Sequence, residues 1–396
     1  MQGGWPLKFV LLCRTFDFSH RDAVTVEATQ TAKALTNSGH EVAVVTGHSD
    51  LQDFANSPFS IQIVPDKEII HPFKYHALLK TIKRIEPDRL VNYLSFMLLP
   101  KLSRVLENLR VSAYHRMIHG KLLSNSYHGL IDLFLKYPVV YKSVDLYDLM
   151  RLFYPGFTFN LLDKDALGTV ITLSELSGAW FRNAGFENVV AVPPGVESVW
   201  YDPVDAADLG GNSKRIIYFG GGPVIFRGVD ILIDALSVLN DPTVYLDILL
   251  RSTQERDEIF LLDKIRNLSL SSHIHLVTGF QSRSFLLNEV NQAVVAVFPY
   301  KLMARVADVP LAILEAMASG RPVISTRAGA IPEIIQQNTN GLLVEPSSVK
   351  ELVEALRTLL ANPDRWKSLS SNARKSAAPY KSDLILTKLV ALYSRS

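Results

Sequence analysis

The chain has 396 residues, 48% of them apolar, with 41 basic against 39 acidic side chains and a net charge of +2. That length favours two domains, and the composition fills two ordinary cores and excludes a disordered chain. Near-balanced charge in both halves argues against a nucleic-acid binder, and the single cysteine, Cys13, excludes a disulfide framework or a cysteine metal site.

The amino-terminal stretch MQGGWPLKFVLLCRTFD lacks the long apolar run and small-residue cleavage site of a secretory signal. Its segment LKFVLLC reads as a buried parallel strand, with Cys13 a small core residue. AVTVEATQTAKALTNSG follows as a helix stopped by Gly39, and HEVAVVTG as a second strand. His40, between them, reads as a turn residue rather than a catalyst. Strand, helix, strand in this space is a βαβ unit, which predicts a doubly wound parallel sheet. SIQIVP, DRLVNYL, PVVYKSV, GTVITLS and NVVAVPP continue the strand series. The longest apolar window, near LVNYLSFMLLP, has roughly half the ~20 residues a bilayer span needs. A cytoplasmic chain is therefore expected.

Proline, glycine and aspartate cluster in PPGVESVWYDPVDAADLGGNSK, which reads as a linker. It divides the chain into a first domain over 1–200 and a second over 201–379. After it the alternation restarts: RIIYFGG, VYLDILL, HIHLVTG, VVAVFPY and PVIST are strands, with helical segments between them. The fold class is α/β, two Rossmann-like doubly wound domains facing across a cleft. In such sheets ligands bind beyond the carboxyl ends of the strands.

Three loops of the second half fall at strand carboxyl ends. In YFGGGPVIFRGVD the strand runs into Gly220, Gly221 and Gly222, and a helix begins near Gly228. Glycines let the backbone approach a phosphate, a helix amino terminus offers free N–H groups, and Arg227 can fork onto phosphate oxygens. The bland alternative is a plain strand-to-helix turn. In ADVPLAILEAMASGRPVIST a helix begins near Pro310 or Leu311. Asp308 suits a plain N-cap, a role worth about 1 kcal/mol. Glu315, among Leu311, Ile313, Leu314, Ala316 and Met317, is a carboxylate in an apolar setting that needs a specific partner. It can accept two hydroxyl hydrogen bonds from a ribose, or serve a helix dipole or salt bridge. STRAGAIPEII reads as a small-residue turn into a further helix begun by Pro332 and Glu333.

Over roughly 168–375 these motifs resemble the retaining glycosyltransferases of family 4, which have the two-domain GT-B fold. PLAILEAMASGRPVISTRAGAIPEII followed by NGLLVEP is similar to that family's donor-site signature, and RGVDILIDAL to the start of its phosphate-loop helix. The resemblance implies sugar transfer from a nucleotide-sugar donor to a glycan, lipid-linked or small-molecule acceptor, with no metal or other cofactor. It implies that Glu315 binds ribose hydroxyls, that Arg227 and the glycine loop meet the diphosphate, and that amides near Pro310 and Leu311 face diphosphate and sugar. It also implies that the terminal helix, within 380–396, packs back on the first domain.

The chain departs from the family at three places. Ala307 stands where a second glutamate is usual, with Asp308 one residue along. Gly221 stands where the loop usually has an arginine, and Arg251 and Arg305 are the candidates for the second charge. Asp145 stands where the first domain usually has a histidine; it can orient a sugar hydroxyl or cap a turn. Two other readings follow from these departures: a non-catalytic GT-B relative that binds a nucleotide or glycan or supports a partner subunit, and a sugar-nucleotide epimerase. Residues 101–121, KLSRVLENLRVSAYHRMIHGK, carry five basic residues against one acidic among leucines and valines. This suits either peripheral contact at the inner membrane face, with a lipid-linked acceptor, or a solvated helix face.

Overall fold

Phe9, Val10, Leu11, Leu12 and Cys13 have no exposed surface, as an unbroken apolar run requires in a strand covered on both faces. They form the centre of β1 (Lys8–Phe16) in the computed structural model of the protein. The structure describes residues 6–16, 23–49, 57–64, 76–92, 139–143, 169–183, 185–202, 214–221, 224–251, 255–279, 281–301 and 308–395. After β1 come α1 (Ala23–Asn37), β2 (Glu41–Ser49), β3 (Ser60–Ile63), α2 (His76–Ile85) and β4 (Arg89–Asn92). Then follow β5 (Val139–Ser143), β6 (Thr169–Thr172), α3 (Glu175–Asn183) and β7 (Val189–Ala191). The strands pair in parallel in the order β3-β2-β1-β4-β5-β6-β7. This order reverses direction at β1 and β4, as in a doubly wound sheet.

Helix α1 stops where expected. Gly39 takes φ +88°, and its N–H donates to the Thr36 carbonyl at 2.9 Å. His40 is a structural residue. Its Nδ1 accepts the Leu7 N–H at 3.2 Å, and its ring lies 5.2 Å from that of Phe9. Burial lowers its pKa, so the accepting neutral ring is the favoured form.

The second sheet is built from β8 (Lys214–Gly220), β9 (Val244–Leu250), β10 (Ile274–Thr278), β11 (Val295–Phe298), β12 (Val323–Thr326) and β13 (Gly341–Val344). Its order, β10-β9-β8-β11-β12-β13, repeats the doubly wound pattern. Between and after these strands run α4 (Val224–Arg227), α5 (Val229–Leu239), α6 (Glu255–Asn267), α7 (Arg283–Gln292), α8 (Leu311–Ala318), α9 (Ile331–Ile334), α10 (Val349–Leu360), α11 (Pro363–Ala377) and α12 (Ser382–Arg395). The chain divides into one unit of Met1–Pro193 with Ile385–Ser396, and another of Pro194–Leu384. At the crossing, Val196 pairs with Lys381, and its N–H donates to the Tyr380 carbonyl at 2.7 Å.

Helix α12 presents Ile385, Leu389 and Tyr393 at four-residue spacing, which places them on one face. All three are buried in a cluster with Phe9, Leu11, Ala28, Ala32, Leu35 and Val192 of the first unit. Leu389 has no exposed surface. Replacing Leu389 by alanine is expected to cost about 3 kcal/mol, the usual range for a cavity in a closed core. Urea denaturation followed by circular dichroism measures this; a change below about 0.5 kcal/mol would show that the helix face is not part of that core.

Among the described residues no helix is long and apolar enough to cross a membrane. The basic stretch 101–121 lies outside the described residues.

Candidate active site

Strands β9, β8 and β11 lie side by side, so their carboxyl ends bring three loops together in one row. Strand β8 leaves the sheet at Gly220 and Gly221. In register, Gly220 sits opposite Leu250, and the Arg251 N–H donates to the Gly220 carbonyl at 2.9 Å. Beyond the glycines the chain makes the single turn α4, where the sequence predicts only a loop running to Gly228. The first amide of that turn, Val224 N–H, donates to Oδ2 of Asp257 at 3.4 Å. Asp257 is a buried carboxylate in the first turn of α6. A negative side chain near exposed helical amides is the usual electrostatic match.

Gly228 breaks α4 from α5 with φ +71°. Its α-carbon lies against the exit of β11: a Cβ there would sit 1.9 Å from the Pro299 carbonyl oxygen. Two further contacts hold the same seam. The Lys301 N–H donates to the Phe226 carbonyl at 2.9 Å, and Lys301 Nζ meets Asp230 Oδ2 at 2.5 Å. This seam places Arg227 with its guanidinium 5.7 Å from the centre of the Tyr300 ring. Burial raises the pKa of Tyr300, while the Arg227 charge and its hydrogen bond to the hydroxyl oppose that rise. From β12, Ser325 Oγ donates to the Phe298 carbonyl at 2.7 Å and Thr326 Oγ1 to the Tyr300 carbonyl at 2.8 Å. The polar residues at the end of PVIST thus fix the backbone that carries Tyr300.

Helix α8 starts at Leu311, with Pro310 in the N-cap position and no side chain capping it. Asp308 is buried and does not cap this helix, contrary to the expectation from sequence. Pro310 has φ −65° and ψ 120°, extended backbone outside the helix rather than its first residue. Among the described residues, then, no side chain caps its first amides. Ile313, Leu314, Ala316 and Met317 have no exposed surface, and they turn Glu315 to the remaining, partly exposed face. Burial pushes the Glu315 carboxyl up from the usual 4.5 to about 7. The Arg251 charge opposes the rise, Glu197 adds to it, and Arg283 opposes it. Arg283 itself pairs with Glu197 at 2.6 Å, linking the first turn of α7 to the segment that enters the second unit.

The rest of the motif is structural. The Ser319 Oγ donates to the Trp200 carbonyl at 3.3 Å, and Gly320 ends the helix with φ +70°. Arg321 is buried and donates through Nη1 to the Ala293 carbonyl at 2.8 Å; burial lowers its pKa to about 10. The helix expected after STRAGA is the single turn α9.

Of the residues singled out from sequence, Gly220, Gly221, Arg227, Asp308, Pro310, Leu311 and Glu315 fall at the carboxyl ends of β8 and β11 or in the elements that follow them. Gly222, Asp145, Arg305 and Ala307 lie outside the described residues. Sequence reasoning missed Tyr300, Asp257, the Lys301–Asp230 pair and the Glu197–Arg283 pair. Tyr300 had a signal, an aromatic with a polar tip just past a strand end; the others are contacts between distant segments.

Residues 213–362 match the family described as glycosyl transferases group 1. That match lies wholly within the second unit. The chain is 29% identical over 213 residues to the MMP alpha-(1->4)-mannosyltransferase of Mycolicibacterium hassiacum, covering 53% of this chain and 49% of that protein. It is 33% identical over 105 residues to the sulfoquinovosyl transferase SQD2 of Arabidopsis thaliana, covering 26% of this chain and 21% of that one. The glycosyltransferase match thus spans about half or less of the length of these curated relatives. Among solved structures, Anabaena HepE in complex with UDP and glucose superposes with a TM-score of 0.74 at 16% identity, covering 98% of this chain and 100% of that one. Sucrose-phosphate synthase of Thermosynechococcus elongatus gives 0.71 at 17% identity, covering 98% of each. At such identity the likeness is one of fold, and that fold is GT-B.

Proposed function

We propose that the chain is a retaining glycosyltransferase that moves a sugar from a nucleotide-sugar diphosphate to a hydroxyl of a glycan, lipid-linked or small-molecule acceptor. The observation that carries this reading is Glu315: a partly buried carboxyl in the field of Arg251 and Arg283, on the helix whose uncapped start follows β11. Ribose hydroxyls donating to Glu315 would supply partners that the described residues do not give its carboxyl. The Leu311 amide at the α8 terminus and the Arg227 guanidinium would face the diphosphate. In the transfer, the bond from the anomeric carbon to the diphosphate oxygen breaks and a bond from the acceptor oxygen forms on the same face. The acceptor proton passes to the departing diphosphate. Negative charge grows on that diphosphate, and preorganised cations and N–H dipoles aimed at it lower the barrier without a metal. HepE, solved with UDP-glucose, supports trying a UDP-sugar first.

Calorimetric titration of the native chain and Glu315→Ala with UDP, GDP, ADP and their sugars tests the reading. One nucleotide is expected to bind in the micromolar range, with about 100-fold loss in the variant. Absence of binding at millimolar concentration would sink the donor site. A binding nucleotide with no transfer to any acceptor class would favour the partner-subunit alternative, and an altered sugar without added acceptor would favour the epimerase.

A further inference from the structure

Helix α6 (Glu255–Asn267) keeps three large apolar side chains in the open: Ile259 is 50% exposed, Phe260 49% and Leu262 38%. One exposed leucine needs no explanation, but apolar residues grouped on the outside of one element mark a contact surface. The topology accounts for their exposure. The crossovers from β8 through α5 to β9, and from β9 through α6 to β10, step towards β10, the edge strand among those described. Helix α6 is thus the outer member of its row. Asp257, Leu261 and Ile265, at four-residue spacing, form its buried side, and Lys264 reaches Asp234 of α5 at 2.5 Å.

The side of α6 turned away from Lys264 and α5 carries Glu255, Ile259, Leu262 and Arg266. With 3.6 residues per turn, the spacing i, i+4, i+7, i+11 aligns these four in one stripe, and all four are exposed. Phe260 stands outside the stripe, nearer α5. Read along the helix, the stripe is acid, apolar, apolar, base, so it complements itself when reversed. Laid antiparallel on a second copy about a two-fold axis, Glu255 falls opposite Arg266 of the partner subunit, and Ile259 opposite Leu262 of the partner subunit. Symmetry makes each pairing occur twice. A parallel pair would set like charge on like. The helix dipoles favour the same arrangement, because the acidic first turn then meets the basic last turn. Arg266 also pairs with Asp263 of its own helix at 3.0 Å, but that pair is on the surface, where such contacts are weak and exchangeable.

We infer that the outer stripe of α6 is a self-association surface whose occupant is α6 of a second copy of this chain, antiparallel about a two-fold axis. In the dimer, the α6 of the second copy takes the place of the next helix in the row. The inference stands apart from the donor site and does not depend on it. One helix face is smaller than the roughly 800 Å² per partner of a tight interface, so a dimer with Kd in the micromolar range is expected.

The test is sedimentation equilibrium of the full chain over a range of concentrations up to about 100 µM, for the native chain, Glu255→Arg, Arg266→Glu and the double variant Ile259→Ser with Leu262→Ser. The native chain is expected to pass from monomer to dimer. Each charge reversal sets two like pairs against each other and should weaken the dimer by at least about 10-fold. A one-to-one mixture of Glu255→Arg and Arg266→Glu should regain the dimer, since every charge then meets its opposite. The serine variant should stay monomeric alone and in either mixture. These are exposed positions, where substitutions change folding stability by about 0.5 kcal/mol or less, and recovery in the mixture shows that both partners are folded. A native chain that remains monomeric overturns the proposal. So does a dimer that the reversals leave unchanged, or a mixture that fails to recover it.

Discussion

At pH 8 the Glu315→Gln variant is expected to melt about 5 °C above the native chain and to bind nucleotide at least about tenfold more weakly. The first half follows from the raised carboxyl pKa, about 7 against the usual 4.5. Between those two values the folded chain holds a proton that the unfolded chain has released. Stability is therefore full below pH 4.5, falls as pH rises through that window, and is lowest above pH 7. A rise of this size corresponds to roughly 3 kcal/mol, and about 2 kcal/mol after allowing for the partial exposure of the group. Glutamine keeps the shape and removes the charge. The second half follows because an amide accepts hydroxyl hydrogen bonds less strongly than a carboxylate. Scanning calorimetry at pH 4 and pH 8, with nucleotide titration of both proteins, separates the two effects. At pH 4 the melting difference should vanish. A variant no more stable than the native chain at pH 8 would show that Glu315 is already satisfied without a ligand.

Gly228→Ala should be the most damaging single methyl in the second unit. The added carbon would stand 1.9 Å from the Pro299 carbonyl oxygen and 2.9 Å from its carbon, at φ +71°. Left-handed backbone alone costs an alanine about 1–2 kcal/mol, and a backbone clash in a packed seam adds about 1–3 kcal/mol. A loss of about 4 kcal/mol is expected, together with loss of nucleotide binding, since the seam positions Arg227. Gly39→Ala is the natural comparison. It too has positive φ, +88°, but a Cβ there meets nothing within 4 Å, so only the conformational cost of about 1 kcal/mol should appear. Urea denaturation of the two variants gives both numbers. Similar losses in the two would mean that the α4–α5 turn moves off Pro299 at little cost.

The strands were legible because parallel sheets buried on both faces demand unbroken apolar runs. FVLLC, IIYF and VAVF have no other reading once glycine and proline punctuate them. Glu315 was legible as an anomaly: one acid in a helix of leucine, isoleucine, alanine and methionine. Asp308 misled, since an aspartate before a helix ordinarily caps it, and here Pro310 is extended and the helix begins at Leu311, two residues later than a cap at Asp308 would start it. The single turn α4 was hidden because PVIFR carries no capping residue of its own; its amide is met by Asp257, 33 residues on. Arg251 was visible only as one cation among several. Its place beside Gly221 comes from the register of two strands, and no spacing along one strand can show it.

The division of the first unit sets an order of assembly on the growing chain. Its sheet is synthesised before the second unit, but Ile385, Leu389 and Tyr393, which seal the side of that sheet bearing Phe9 and Leu11, emerge only after the whole of that unit. The second unit, continuous from Pro194 to Leu384, can complete its core before then. During synthesis the early sheet must therefore wait with an apolar face uncovered, a window in which chaperone capture or aggregation would compete with folding. A stall or premature stop just before residue 385 would leave the later-made half sound and the earlier-made half unfinished.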